Sequence, residues 1–176
     1  MMKFRVMSKG NKKFVKSIQI IKFLFRFRLT LNNKCDIVAD PDITLLIFDR
    51  EFLCHRSVLE QSDFFRVLIN GSFKESKFHE IRLHNTSDEY LITEASFAKL
   101  LDVLYGREIK LVADDIFHFV VTAQYFQLPA IVEYCESKII EMLRSSNCID
   151  IYHFAERYFL ETTRQNTFKW MLLRLF

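Results

Sequence analysis

Residues 42–76, DITLLIFDREFLCHRSVLEQSDFFRVLINGSFKES, constrain the fold more than any other stretch. Ile43, Leu45 and Ile47 alternate with Thr44, Leu46 and Phe48, and a period of two is the period of a strand. Both faces of that strand are largely apolar. The pattern predicts a turn at Asp49-Arg50, a second short strand over 51–54 and a helix that begins at His55-Arg56. A second helix is expected over 63–70, ended by the breaker pair Asn70-Gly71.

Beyond this run, residues 80–83 alternate and read as a third strand, and 84–94 form a long polar stretch. Residues 96–105 read as a helix with Phe97, Leu100, Leu101 and Leu104 on one face. Gly106 ends it, and 108–111 form a short strand. Asp114-Asp115 start a helix with the stripe Ile116, Phe119, Val120 and Ala123, because acids favour a helix N-terminus. Pro129 opens the next helix, where a missing N–H costs nothing, with the stripe Val132, Cys135, Ile139 and Leu143. These stripes are core, and no cofactor is implied. Asn147 is expected to cap a further helix, with Asp150 reaching back to it. A last helix is expected over 162–175.

Three Gly and two Pro among 176 residues are too few for the many tight turns of an all-β sandwich and favour a helical or α+β fold. Nineteen Phe must be buried against the chain itself or a partner. The net charge of +3 hides an asymmetry: residues 1–35 carry ten basic groups and no acid, and the rest carries a net charge of −7. An acidic body argues against nucleic-acid binding by the core. The basic arm could touch nucleic acid or an anionic membrane, or simply be solvated. It also has the composition of a mitochondrial presequence, the lesser reading.

Cys35, Cys54, Cys135 and Cys148 have no metal-ligand spacing, and Cys54 and His55 are adjacent in a strand and so point to opposite faces. The four are read as buried, reduced thiols of a cytoplasmic or nuclear protein. Lys16, Lys22, Arg26 and Arg28 interrupt the longest apolar stretch, so no membrane span is expected. No phosphate-binding loop, nucleophile motif or paired catalytic carboxylate is present, and an enzyme is not expected.

Asp42, Thr44, Leu45, Phe52, His55, Arg56, Val58, Leu59, Ser62, Phe64 and Phe65 stand at fixed spacing, and in that order this chain resembles the start of a BTB/POZ domain as found in kelch-like proteins. The run LYGREIKL resembles that family's strand-turn element, shortened by one residue, FQLPAIVEYCESKI resembles its final helix, and the polar stretch 84–94, long beside the matching family loop, reads as an insertion. The run NCIDIYHFAERYF resembles the start of the BACK domain that follows. The resemblance implies an α+β fold, a small mixed sheet flanked by helices, followed by the first helices of a BACK domain. It implies a basic arm over 1–40, a BTB/POZ domain over 41–145 and a partial BACK domain over 146–176, with no kelch repeats after it. The arm departs from the family pattern. Phe25, Phe27, Leu29 and Leu31 alternate with Arg26, Arg28 and Thr30, which is strand-like, where the family has a helix of the dimer interface.

BTB domains dimerise and recruit partners. In cullin-3-binding members a hydrophobic-x-Glu motif follows the second of these helices, and Phe73-Lys74-Glu75 matches it. The resemblance thus implies that Phe73 is a buried anchor and Glu75 an orienting carboxylate. The opposing reading folds Phe73 onto its own core. Tyr152 and Tyr158 are further cullin-3 candidates, since Tyr152, Phe154, Tyr158 and Phe159 surround one helix more fully than a single buried face requires. They stand equally as core of a BACK domain cut short. Asp42 and Arg56 match a family pair near the dimer groove and are expected to support fold and dimer. The expected function is a dimerising adaptor for a cullin-3 ubiquitin ligase, pairing with itself or another BTB protein. Without a kelch domain it would be regulatory or inhibitory. The alternative is a BTB scaffold or transcriptional co-regulator without cullin.

Overall fold

The computed structural model describes residues 21–23, 40–71, 79–83 and 91–174. Two short sheets and seven helices are formed by these residues. Strand β1 is Ile21–Phe23, β2 is Ile43–Ile47 and β3 is Arg50–Cys54. Helices α1 (Arg56–Leu59) and α2 (Asp63–Asn70) lead to β4, Glu80–Arg82. Helix α3 (Glu94–Leu104) and β5 (Ile109–Leu111) come next, and then α4 (Asp115–Tyr125) and α5 (Pro129–Glu141). Helices α6 (Cys148–Arg157) and α7 (Glu161–Arg174) complete the described chain.

Strand β2 buries Ile43, Leu45 and Ile47 and leaves Thr44 and Leu46 half-buried, as its period of two requires. It is the centre of a mixed sheet, antiparallel to β3 and parallel to β4. A parallel neighbour needs a crossover, and α1 and α2 lie within it. The hairpin is closed by the pair Ile47↔Arg50, so its turn is Phe48-Asp49, one residue before the expected one, and Arg50 already belongs to β3. Both turn residues have positive φ, 55° and 56°, the geometry that matches strand twist in a two-residue hairpin. Phe48 accepts that backbone because its ring packs edge-on to Phe97, with centroids 6.5 Å apart. The chain before β2 also enters the fold: β1 runs antiparallel to β5, with Lys22 opposite Lys110. The alternating stretch 25–31 lies outside the described residues, as does most of the expected insertion, 84–90.

The phenylalanines account for much of the core. Phe126, fully buried at the end of α4, stacks on Phe65 of α2 at 5.2 Å and meets Phe97 of α3 at 5.1 Å. Phe97 in turn meets Phe52 of β3 edge-on at 5.2 Å. One aromatic column thus ties sheet, α2, α3 and α4 together, each ring adding specific packing to its buried area. Ser62 caps α2 by accepting from the Phe65 N–H at 3.2 Å, and its hydroxyl donates to the Phe126 carbonyl at 2.6 Å. Helix α3 starts two residues before the expected position, because Thr93 and Ser96 form a capping box. Ser96 also shares a hydrogen bond of 2.7 Å with Thr122 of α4, a buried polar link between the two helices.

Helices α3, α4 and α6 end in the same way. The chain takes one residue into the left-handed region, and the next N–H returns to a carbonyl five residues back. After α3 that residue is Gly106 at φ 72°, with Arg107 N–H to Asp102 O at 2.8 Å. After α4 it is Gln127 at 52°, with Leu128 N–H to Ala123 O at 2.9 Å. After α6 it is Phe159 at 55°, with Leu160 N–H to Ala155 O at 2.9 Å.

Candidate functional site

The expected residues fall in three places. Phe73 and Glu75 lie outside the described residues. They follow α2, whose Val67 is 59% exposed.

Asp42 and Arg56 do come together, at the start of α1. The Asp42 carboxylate accepts from the Arg56 backbone N–H at 2.8 Å, so it caps the helix from the strand before it. His55, the residue at the cap position, makes no side-chain cap bond. Its own N–H donates to the Tyr105 hydroxyl at 3.0 Å, and its Nδ1 lies 2.9 Å from the same oxygen. The Tyr105 hydroxyl thus bonds both the backbone and the ring of His55. Burial pushes the Tyr105 hydroxyl above its ordinary value, so it stays protonated in this role. Helix α1 is four residues long and could not hold its own first turn. Asp42 and Tyr105 satisfy its orphan donors from β2's approach and from the end of α3.

Cys54 is 1% exposed beside this cluster, and burial pushes its thiol up to about 11. It is a protonated core group at neutral pH, which speaks against nucleophilic use. Cys135 is pushed up to about 12 for the same reason.

Tyr152 and Tyr158 sit on α6, which packs on α7 as a helical hairpin. Phe154 and Tyr158 turn toward the body: Phe154 meets Phe117 of α4 edge-on at 5.0 Å and Tyr158 at 4.9 Å. Tyr152 points the other way and lies 6.3 Å from Phe168 of α7. Around it the pair exposes Ile149, Phe168 and Leu172, each half or more accessible. The aromatics of α6 are therefore divided between core and surface. Asn147 does not cap α6 as expected. Its Oδ1 accepts from the Arg144 N–H at 2.7 Å and its Nδ2 donates to the Met142 carbonyl at 2.9 Å, so it closes the α5–α6 corner instead. An Asn side chain can bond either way, and this tight connection offers nearer partners.

The group that sequence reasoning missed is Glu136. It is 6% exposed on α5, and its carboxylate accepts from the Thr163 N–H at 2.8 Å. Thr163 is the third residue of α7, and Leu160 just before the helix has no side chain able to cap it. Glu136 thus caps α7 from another helix and fixes the α6–α7 pair to the body. A signal existed: Glu136 lies four residues after Val132 and three before Ile139, inside the apolar stripe. Thr163 and Thr167, one turn apart and fully buried, face the same interior with their hydroxyls unmatched.

Among the described residues no cluster of His, Cys, Asp and Glu could hold a metal ion, and no helix is long and apolar enough to cross a membrane.

A small mixed sheet carrying a two-helix crossover, with paired helices packed behind it, is the arrangement of a BTB fold. The chain matches the BTB/POZ domain over residues 32–143, and it belongs to that family. It is similar to the Kelch repeat and BTB domain-containing protein 1 of ectromelia virus (strain Moscow), with 31% identity over 138 residues. It is 30% identical to Kelch repeat and BTB domain-containing protein A55 of vaccinia virus (strain Western Reserve) over the same length. Each match covers 76% of this chain and 23% of the viral protein. Kelch-like protein 21 of Danio rerio is 34% identical over 118 residues, covering 66% of this chain and 18% of that protein. The chain therefore spans about a quarter of the length of the viral relatives it matches. It is a protein-interaction module of the BTB class.

Proposed function

We propose that this chain is a dimerising adaptor module that binds cullin-3, and that it pairs with itself or another BTB protein. The observation that carries this is the α6–α7 pair: a rigidly attached element whose outer side exposes Ile149, Phe168 and Leu172 beside the half-buried Tyr152. A contiguous exposed apolar patch marks an interaction surface. In this reading residues 146–176 are the first BACK helices and widen a contact whose anchor is Phe73 with Glu75. Tyr152 faces the partner, and Tyr158 braces the helix from behind. Asp42 and Arg56 hold α1 near the dimer groove. Where this module acts without a kelch domain, its role is regulatory or inhibitory, in the cytoplasm or nucleus.

Calorimetric titration of the full chain with the N-terminal domain of cullin-3 tests the proposal, with a Phe73→Ala/Glu75→Ala variant beside it. Affinity near micromolar or better is expected, weakened at least tenfold in the variant, about 1.4 kcal/mol or more. A folded, dimeric wild type that does not bind would leave the BTB scaffold reading in its place.

A further inference from the structure

Among the described residues, the buried hydroxyls divide into two groups. Ser62, Ser96 and Thr122 find partners within the chain. Thr122 shows how a helical threonine does so, by donating to the His118 carbonyl one turn back at 2.7 Å. Thr163 and Thr167 are both 0% exposed, and neither hydroxyl has a partner among the described residues. Neither takes the carbonyl one turn back as Thr122 does. They stand one turn apart on one face of α7, beside Glu136 of α5. A hydroxyl buried without a partner is costly, so protein interiors match such groups, with ordered water where the chain supplies none.

The third group at this place is the Glu136 carboxylate. Its Oε1 accepts from the Thr163 N–H at 2.8 Å, and its Oε2 makes no hydrogen bond among the described residues. Basic side chains close in sequence on both helices are engaged elsewhere: Lys138 with Glu141 at 2.6 Å and Arg164 with Glu161 at 2.7 Å. A carboxylate only 6% exposed thus holds one hydrogen bond and has acceptor capacity to spare. Neither hydroxyl reaches the carboxylate or the other hydroxyl directly. Whatever joins the three must therefore be small and must both donate and accept. Water meets that requirement. It accepts from one hydroxyl and donates to Oε2 and to the other hydroxyl, making about three bonds, the usual count for a buried water.

We propose that Glu136, Thr163 and Thr167 form the binding site of an internal water molecule that completes the joint between α5 and α7. The site lies on the inner side of α7 and does not depend on what the outer face of the α6–α7 pair binds. Valine has the shape of threonine without the hydroxyl and a similar helix preference, so Thr163→Val and Thr167→Val in the full chain test the sign of the effect. With a bridging water, each substitution strips the water of a bond, and Tm is expected to fall by a few degrees. Hydroxyls with no partner at all give the reverse. Valine then removes the cost of burying them, Tm rises, and the proposal is overturned. Relaxation dispersion of the water signal counts long-lived internal waters, and the wild type is expected to hold one more than Thr163→Val/Thr167→Val. An equal count with a lower Tm in the variants would assign the hydroxyls to backbone carbonyls and overturn the water. A Tm that is higher in sodium chloride than in choline chloride at equal concentration, and only while both threonines are present, would put a sodium ion at the site instead, which also overturns it.

Discussion

Backbone conformation at single residues decides more in this chain than their chemistry does. Asp49 and Phe48 occupy the same hairpin turn with nearly the same positive φ, yet they differ in what they give the fold. The Phe48 ring contributes packing on Phe97, whereas Asp49 is exposed. Replacing Asp49 by Gly removes a small strain at the position where such turns prefer glycine. It is expected to raise stability by about 0.5 kcal/mol, read as a higher urea midpoint at unchanged slope. A lower midpoint would mean that the Asp49 side chain holds the turn by a bond stronger than the strain. The cap at α1 follows the same logic from the other side. His55 stands where a Ser or Asp would normally cap, and the bonds come from Asp42 and Tyr105 instead.

At the scale of elements, the decisive contact is between α5 and α7. Helix α7 has no local cap, and two of its buried threonine hydroxyls lack partners. Its attachment rests on apolar packing and on the Glu136 carboxylate at its third N–H. Glu136→Ala leaves that N–H buried and unmatched, and is expected to cost about 2 kcal/mol. Glu136→Gln keeps an oxygen acceptor and should lose less. Hydrogen exchange gives the local reading: in Glu136→Ala the amides of α7 should lose protection before those of α3 or α4. Uniform loss across all helices would show that α7 does not open separately. Surface ion pairs between elements, such as Arg50 with Glu94, are exposed on both sides and contribute little by comparison.

The whole molecule sets the pH range in which its core is stable. Cys54 and Cys135 ionise at about 11 and about 12 when folded, against an ordinary value of 9.0, because burial disfavours the thiolate. Below pH 9 both thiols are protonated in either state, and their contribution to stability is fully present. As pH rises above 9 the unfolded chain releases protons that the folded chain keeps, so stability falls through the range up to 11–12. Chemical denaturation from pH 8 to 11 should show this decline, and a Cys54→Ala/Cys135→Ala variant should show a shallower one. At pH 8 neither thiol should react with iodoacetamide until the protein unfolds. Rapid labelling of either in the native state would contradict this account.

Local pattern carried much of the fold by itself. The period of two in β2, the bounds of α2, Pro129 at the start of α5 and the apolar stripes of α4 and α5 all appear where the residues place them. These features depend on neighbours within one or two turns, so a linear reading captures them. Spacing and motif also carried the class of protein, since eleven matching positions over 42–76 reflect one packed arrangement. Tertiary structure alone decided the partners of the polar groups. Asn147 turned back to Arg144 and Met142, Tyr105 came to His55, and Glu136 reached Thr163 across 27 residues. A buried donor or acceptor bonds to whatever lies within about 3 Å of it, and that depends on how every helix packs. The division of α6's aromatics between core and surface was decided in the same way, by the placement of α4 and α7 against it. Aromatic content could not reveal which ring would be left in water, because exposure belongs to the assembled surface and not to the residue.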